Sequence, residues 1–153
     1  MGLEEVTYCG LYCGLCANRR RISQQAATLR QTLRGEGYDR GYIDIPGLQE
    51  VFAEFWTGLN RLADTPCPGC RAGGGDPGCA IRTCARERDV VTCPLCADYP
   101  CARLEAMCNY PLLRADAQRL QKVGLERWMA EQEARAAAGF AYADVRFPAE
   151  EAK

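Results

Sequence analysis

The chain contains no histidine at all, and that absence removes a good deal. The side chain that usually serves as a general base near neutral pH is missing, so ordinary hydrolytic catalysis is not expected. Any zinc site must be built from cysteine alone or borrow a carboxylate. An excess of one charge is absent too. There are 19 basic and 20 acidic residues, a formal net charge of −1, spread evenly along the chain, so the strongly basic footprint of a nucleic-acid binder is not present. No stretch approaches the roughly 18–20 uncharged apolar residues of a membrane span. The opening Met1-Gly2-Leu3-Glu4-Glu5 carries neither a basic patch nor an apolar run, so no secretory signal is expected. Strand-like alternation is nearly missing as well, with only Val90-Val91-Thr92 hinting at a strand.

What is present is cysteine. Eleven occur in 153 residues: Cys9, Cys13, Cys16, Cys67, Cys70, Cys79, Cys84, Cys93, Cys96, Cys101 and Cys108. A disulfide scaffold normally has an even count, an export signal and a chain too short for its own core. This chain has none of the three. In a reducing cytoplasm, clustered thiols more often bind metal or carry out redox work, so a cytoplasmic, metal-binding protein is expected.

The spacing supports chelation. Cys67-Pro-Gly-Cys70 and Cys93-Pro-Leu-Cys96 are both C-P-x-C turns, which aim two sulfurs at one ion and free backbone N–H groups to donate to thiolates. Tetrahedral zinc takes four sulfurs at about 2.3 Å, and two such turns facing each other would complete one site. Cys79 to Cys84 and Cys96 to Cys101 are five-residue steps. On a regular helix these diverge by about 140°, so at least one member of each pair must sit on a loop or cap, with Gly78 and Pro100 marking where. Cys9-Gly-Leu-Tyr-Cys13-Gly-Leu-Cys16 has glycines that disfavour helix and suit a loop wrapped closely round a metal or cluster. The N-terminal trio is expected to join Cys79, Cys84 or Cys101 in a second site, with the partition left open. Cys108 would lie about 10.5 Å beyond Cys101 on a helix, too far for a shared ion, and reads as a small buried hydrophobe. Arg71, Arg82, Arg86, Arg88 and Arg103 lie among the cysteines and could offset thiolate charge. The Arg19-Arg20-Arg21 triplet has no interleaved aromatics to suggest RNA binding.

The remainder reads as helix. Segments are expected over 23–34 (capped by Ser23 and Gly35), 47–64, 79–87, 101–108, 111–122 and 125–139. In the second of these, Leu48, Val51, Phe52, Phe55, Leu59 and Leu62 form a stripe expected to face a core. Residues 132–138 show no apolar stripe and are expected to project into solvent. The architecture expected is mostly α: helices around an irregular cysteine-rich metal-binding centre, with at most a short β ribbon. Residues 1–139 form one domain and 140–153 a loosely held tail.

The ordered motifs C-G-L-x-C-x-x-C (9–16), C-x-G-C (67–70), C-x-I-R-x-C (79–84) and C-x-x-C-x-x-Y-P-C (93–101), followed by Gly124-Leu-Glu126-Arg-Trp128 and Glu131-Gln132-Glu133, resemble the prokaryotic family catalogued as domain of unknown function 3795. The resemblance covers 8–16 and about 67–133. It implies small, cytoplasmic, cysteine-rich proteins that bind metal and have no established activity. By the same match Cys9, Cys13, Cys16, Cys67, Cys70, Cys79, Cys84, Cys93, Cys96 and Cys101 carry over as metal residues, while Cys108 falls outside the pattern. Cys9, Cys13 and Cys16 also match the C-x3-C-x2-C loop of radical S-adenosylmethionine enzymes. Those enzymes resemble partial (β/α) barrels, however, and this chain is too short, lacks strands, and has Leu15 where they prefer an aromatic.

Two readings remain. The first is a non-catalytic zinc protein whose metal is mainly structural; the second is an iron–sulfur protein in electron transfer or redox sensing. No substrate is evident, a protein partner is left open, and neither nucleic acid nor membrane is expected.

Overall fold

The computed structural model describes residues 2–107 and 110–146; the reading of Cys108 lies outside the described residues. Eight α-helices are found among them: α1 (Ala17–Arg20), α2 (Ile22–Gly35), α3 (Phe52–Asp64), α4 (Ala80–Glu87), α5 (Ala102–Glu105), α6 (Tyr110–Val123), α7 (Leu125–Ala137) and α8 (Ala143–Arg146). Short 3₁₀ turns join several of them. The chain is mostly helical, with no strand among the described residues. The β ribbon shrinks to one isolated antiparallel bridge between Val6 and Tyr12. Val90-Val91-Thr92 forms no strand; Thr92 instead donates its hydroxyl to Thr7 O at 3.0 Å, and Cys93 N–H donates to Tyr8 O at 2.7 Å. No helix among the described residues is long and apolar enough to cross a membrane.

The chain divides into two compact units, Met1–Cys16 with Pro68–Lys153, and Ala17–Cys67. The first holds the main core: Val6, Leu11, Tyr12, Leu15, Ile81, Leu104, Leu113, Leu120, Trp128 and Tyr142. Helices α6 and α7 form its frame. Tyr110-Pro111 opens α6, where proline lacks only an N–H that the first turn does not use. Gly124, at φ 81°, separates the two helices. Trp128 is fully buried and meets the Tyr12 ring edge-on, centroids 6.0 Å apart.

Two expectations fail in this unit. Gln132 on α7 is buried rather than solvent-facing and accepts from Arg135 at 2.7 Å, while Glu133 accepts from the Tyr12 hydroxyl. The start of the expected loose tail is also held, because Tyr142 is buried in the core. Its N–H donates to Leu15 O, its hydroxyl accepts from Tyr12 N–H at 3.0 Å, and it donates to Asp116 at 2.5 Å. Asp116 also faces Arg135 at 3.3 Å. Burial pushes its carboxyl up, opposed by Tyr142 and Arg135.

The second unit pairs α2 with α3. Arg30 donates to Asn60 and Asp64, and Phe52 stacks on Trp56 at 5.4 Å. Helix α2 starts one residue before Ser23, and no side chain caps it. Helix α3 starts at Phe52 after a 3₁₀ turn over Gln49–Val51, later than the expected 47. Of the predicted stripe only Leu59 is buried; Val51 and Leu62 are about half exposed. Two helices alone cannot enclose a face that wide.

Candidate metal centre

Ten cysteines lie among the described residues, and no disulfide joins them. Their placement follows from how short turns end. Cys93-Pro-Leu-Cys96 makes a 3₁₀ turn closed by Cys96 N–H to Cys93 O at 2.9 Å, with extended residues on either side. Pro94 sits inside the turn, where its fixed φ suits the first helical positions. The peptide oxygen of Pro94 accepts from Gln121 of α6 at 2.9 Å. Cys101 stands in extended conformation just before α5, and Cys84 lies within α4.

These four cysteines, Cys84, Cys93, Cys96 and Cys101, line one small, partly open pocket of about 30 Å³. Ile81, Ala85, Val90, Tyr99 and Leu104 supply its apolar wall. That volume exceeds the roughly 10–15 Å³ needed by one water, enough for one ion. Cys84 and Cys101 also border an open hollow with Arg88 and Arg103. Arg88 Nη1 donates to Cys96 Sγ at 3.5 Å, and its Nη2 pairs with Asp98 at 2.5 Å. Burial pushes the Cys93 thiol up to about 12, with the thiols of Cys9, Cys101, Cys96 and Cys84 adding to it. The Cys93 thiol therefore resists ionising.

A second gathering lies in the same unit. Cys13-Gly-Leu-Cys16 repeats the turn of Cys93–Cys96: a 3₁₀ turn closed by Cys16 N–H to Cys13 O at 3.0 Å, again between extended residues. Cys70 N–H donates to Cys13 Sγ at 3.4 Å. Thr7 Oγ1 lies 3.2 Å from Cys9 Sγ. Burial pushes the Cys9 thiol up; Thr7 and the Leu11 backbone oppose that, and the Cys70 and Cys79 thiols add to it. Gly10 holds φ at 100°, and a Cβ there would stand 2.7 Å from Pro94 Cγ, so the 9–16 loop lies directly on the Cys93–Cys96 turn.

The sequence paired the two C-P-x-C turns; in the structure Cys93 and Cys96 border a pocket together with Cys84 and Cys101. Gly69 sits at φ 98°, ψ 155°, and the 3₁₀ turn begins only at Cys70, so Cys67-Pro-Gly-Cys70 lacks the form of the other turns. Cys67 belongs to the Ala17–Cys67 unit, where its N–H meets Asn18 O and its carbonyl accepts from Arg19. Among the described residues no three cysteine, aspartate or glutamate side chains converge closely enough to hold one ion as they stand. The donor set fits a thiophilic metal by its chemistry and not by its placement as it stands.

Of the five arginines among the cysteines, only Arg88 has a sulfur as a hydrogen-bond acceptor. Arg82 is buried and donates to Cys70 O, Gly74 O, Asp76 O and Pro77 O. Arg71 donates to Val6 O and Val91 O with its guanidinium 4.5 Å from the Tyr8 ring centroid, and Arg86 donates to Arg71 O. Thr7 and Asp98 were not singled out by the sequence; their only signal is that each stands two residues from a cysteine.

The model of a family described as "Protein of unknown function (DUF3795)" matches residues 5–106. The chain belongs to that family. The match takes in every cysteine motif and the α2–α3 segment, and it ends before Gly124–Glu133, which therefore adds nothing to the assignment. No curated protein and no solved structure matches this chain.

Proposed function

We propose that this protein binds zinc through all-cysteine coordination, with a mainly structural role, in the reducing cytoplasm. The observation supporting the reading is the small pocket that Cys84, Cys93, Cys96 and Cys101 all line. Four sulfurs satisfy tetrahedral zinc with no position left for substrate, which marks a structural rather than a catalytic site. The resulting formal charge of −2 is partly offset by Arg88 at Cys96. Metal here would contribute about 10–16 kcal/mol of apparent binding energy, comparable with a whole domain's ~5–15. The metal would hold together a segment with few large apolar side chains of its own.

A second reading, an iron–sulfur protein in electron transfer or redox sensing, is favoured by one observation. The thiols do not converge on a single point as they stand, and a cluster, being larger than an ion, does not need them to. Metal analysis and a visible spectrum on one anaerobic preparation separate the two. Colourless protein carrying stoichiometric zinc, lost on Cys84→Ser with Cys101→Ser, supports the first. Brown protein with broad visible absorbance replaces it with the second.

A further inference from the structure

We infer that the exposed apolar face of the α2–α3 pair docks a second copy of this chain, the two α3 helices crossing antiparallel at Gly58. The inference does not draw on the proposed metal.

The face lies wholly within the Ala17–Cys67 unit. Helices α2 and α3 leave a shallow hollow lined by Ile22, Leu29, Phe55, Gly58, Leu59 and Leu62, among others. Leu29, Phe55 and Leu62 keep 45%, 37% and 52% of their surface exposed. Val51, just before α3, keeps 49%. From Val51 through Phe55 and Gly58 to Leu62 the steps are four, three and four residues, which makes one stripe along a helix. The polar links between α2 and α3 use other positions: Arg30 donates to Asn60 and Asp64, and Arg34 lies over Trp56. A contiguous apolar face left uncovered marks a place where another protein binds.

Two features assign that place to a second copy. The first is Gly58. Glycine is a poor helix former, yet it stands inside α3, and a Cβ there would meet nothing within 4 Å. No neighbour in the chain requires it; what it offers is a point where another helix backbone can approach closely. The second is that the sequence of α3 matches itself about that point. Glu54 and Arg61 stand seven residues apart on one flank of the stripe, and Phe55 and Leu62 stand seven apart within it. An antiparallel copy turned about Gly58 sets Glu54 against Arg61 of the second copy and Phe55 against its Leu62, each pairing occurring twice. That is the signature of an isologous contact. Glu54 and Arg61 are both exposed, and neither has an ion-pair partner among the described residues.

The test is sedimentation equilibrium on full-length protein kept reduced, so that no disulfide links the copies. Wild type is expected to approach twice the mass of one chain as its concentration rises. Glu54→Arg sets arginine against arginine twice, and Arg61→Glu sets glutamate against glutamate twice. Each should weaken self-association by at least about tenfold. Mixed in equal amounts, the two variants carry opposite charges at both positions and should regain the dimer. Gly58→Lys has room for its side chain within the chain and a better helix former than glycine. It should be monomeric, with helix content by circular dichroism undiminished. Wild type still monomeric at about 0.5 mM overturns the inference and leaves the face to a different protein. A dimer that persists in Gly58→Lys and in both charge variants overturns it by placing the contact elsewhere. Charge variants that dissociate singly and fail to recombine overturn the antiparallel pairing. None of these outcomes reads metal content, so failure here leaves the proposed function standing.

Discussion

Two stretches of this chain make the same turn from different sequences, and a third makes a different turn from nearly the same sequence. Cys13-Gly-Leu-Cys16 and Cys93-Pro-Leu-Cys96 share one 3₁₀ turn between extended neighbours. Cys67-Pro-Gly-Cys70 has the proline of the second yet departs from both, with Gly69 at φ 98°. The position before the second cysteine decides: leucine in the matching pair, glycine in the odd one. Leucine avoids positive φ and keeps the turn right-handed, while glycine is free to leave it. The matching turns also have matching supports. The 13–16 turn packs on α7 and the 93–96 turn on α6, so each turn rests on its own helix of one antiparallel hairpin.

The largest expected effect tests whether metal is what holds these turns. Stripping metal from reduced protein should abolish hydrogen-exchange protection through 6–16 and 70–105, as about 10–16 kcal/mol of binding energy is withdrawn. Protection in α2 and α3, held by the Arg30–Asp64 pair and the Phe52–Trp56 stack, should outlast it. If chelation left exchange in both turns untouched, structural metal would be ruled out.

Next comes Leu15, the turn leucine that faces inward. It is wholly buried in the core with Trp128 and Tyr12. Leu15→Ala should cost about 2–5 kcal/mol of unfolding free energy, measured by denaturant titration of the metal-loaded protein. A cost no larger than that of a surface change would mean that the 13–16 turn is held by its sulfurs alone. A smaller loss is expected where the two turns touch. Gly10→Ala places a Cβ against Pro94 at a backbone φ that L-residues avoid, costing about 1–3 kcal/mol. Full stability in that variant would show that the 9–16 loop does not press on the 93–96 turn.

The helices were legible where the pattern was local. Gly124 announced the break between α6 and α7, and the five-residue steps announced that at least one member of each pair lies outside a helix: Cys79 in the first, both Cys96 and Cys101 in the second. The grouping of sulfurs was not legible. C-P-x-C at 67–70 and 93–96 look alike on paper, and only the backbone at Gly69 separates them. Nor could Tyr142 be placed. One aromatic past Gly139 carries no period, and its burial depends on Asp116, Tyr12 and Leu15, which are 26 to 130 positions away. The wide stripe on α3 misled for the opposite reason: its period was right, but α2 and the Tyr38 ring on Phe52 leave Val51 and Leu62 about half exposed.

The finest test uses the other turn leucine. Leu95 occupies the position of Leu15 but is 51% exposed, so its side chain adds little by packing. If the turn depends on the leucine backbone preference and not on its burial, Leu95→Ala should leave both turn and stability within about 0.5 kcal/mol of wild type. Leu95→Gly recreates the C-P-G-C sequence of 67–70 and frees the backbone to leave the turn. Alanine and glycine differ here chiefly in unfolded-state freedom, worth about 0.4–1 kcal/mol, so the expected gap between the two variants is small. It is readable as a difference in zinc affinity at the Cys84–Cys93–Cys96–Cys101 cavity: unchanged in the alanine variant and weaker by about two- to fivefold in the glycine variant. Equal weakening in both would return the explanation to side-chain packing and dissolve the contrast between the two C-P-x-C turns.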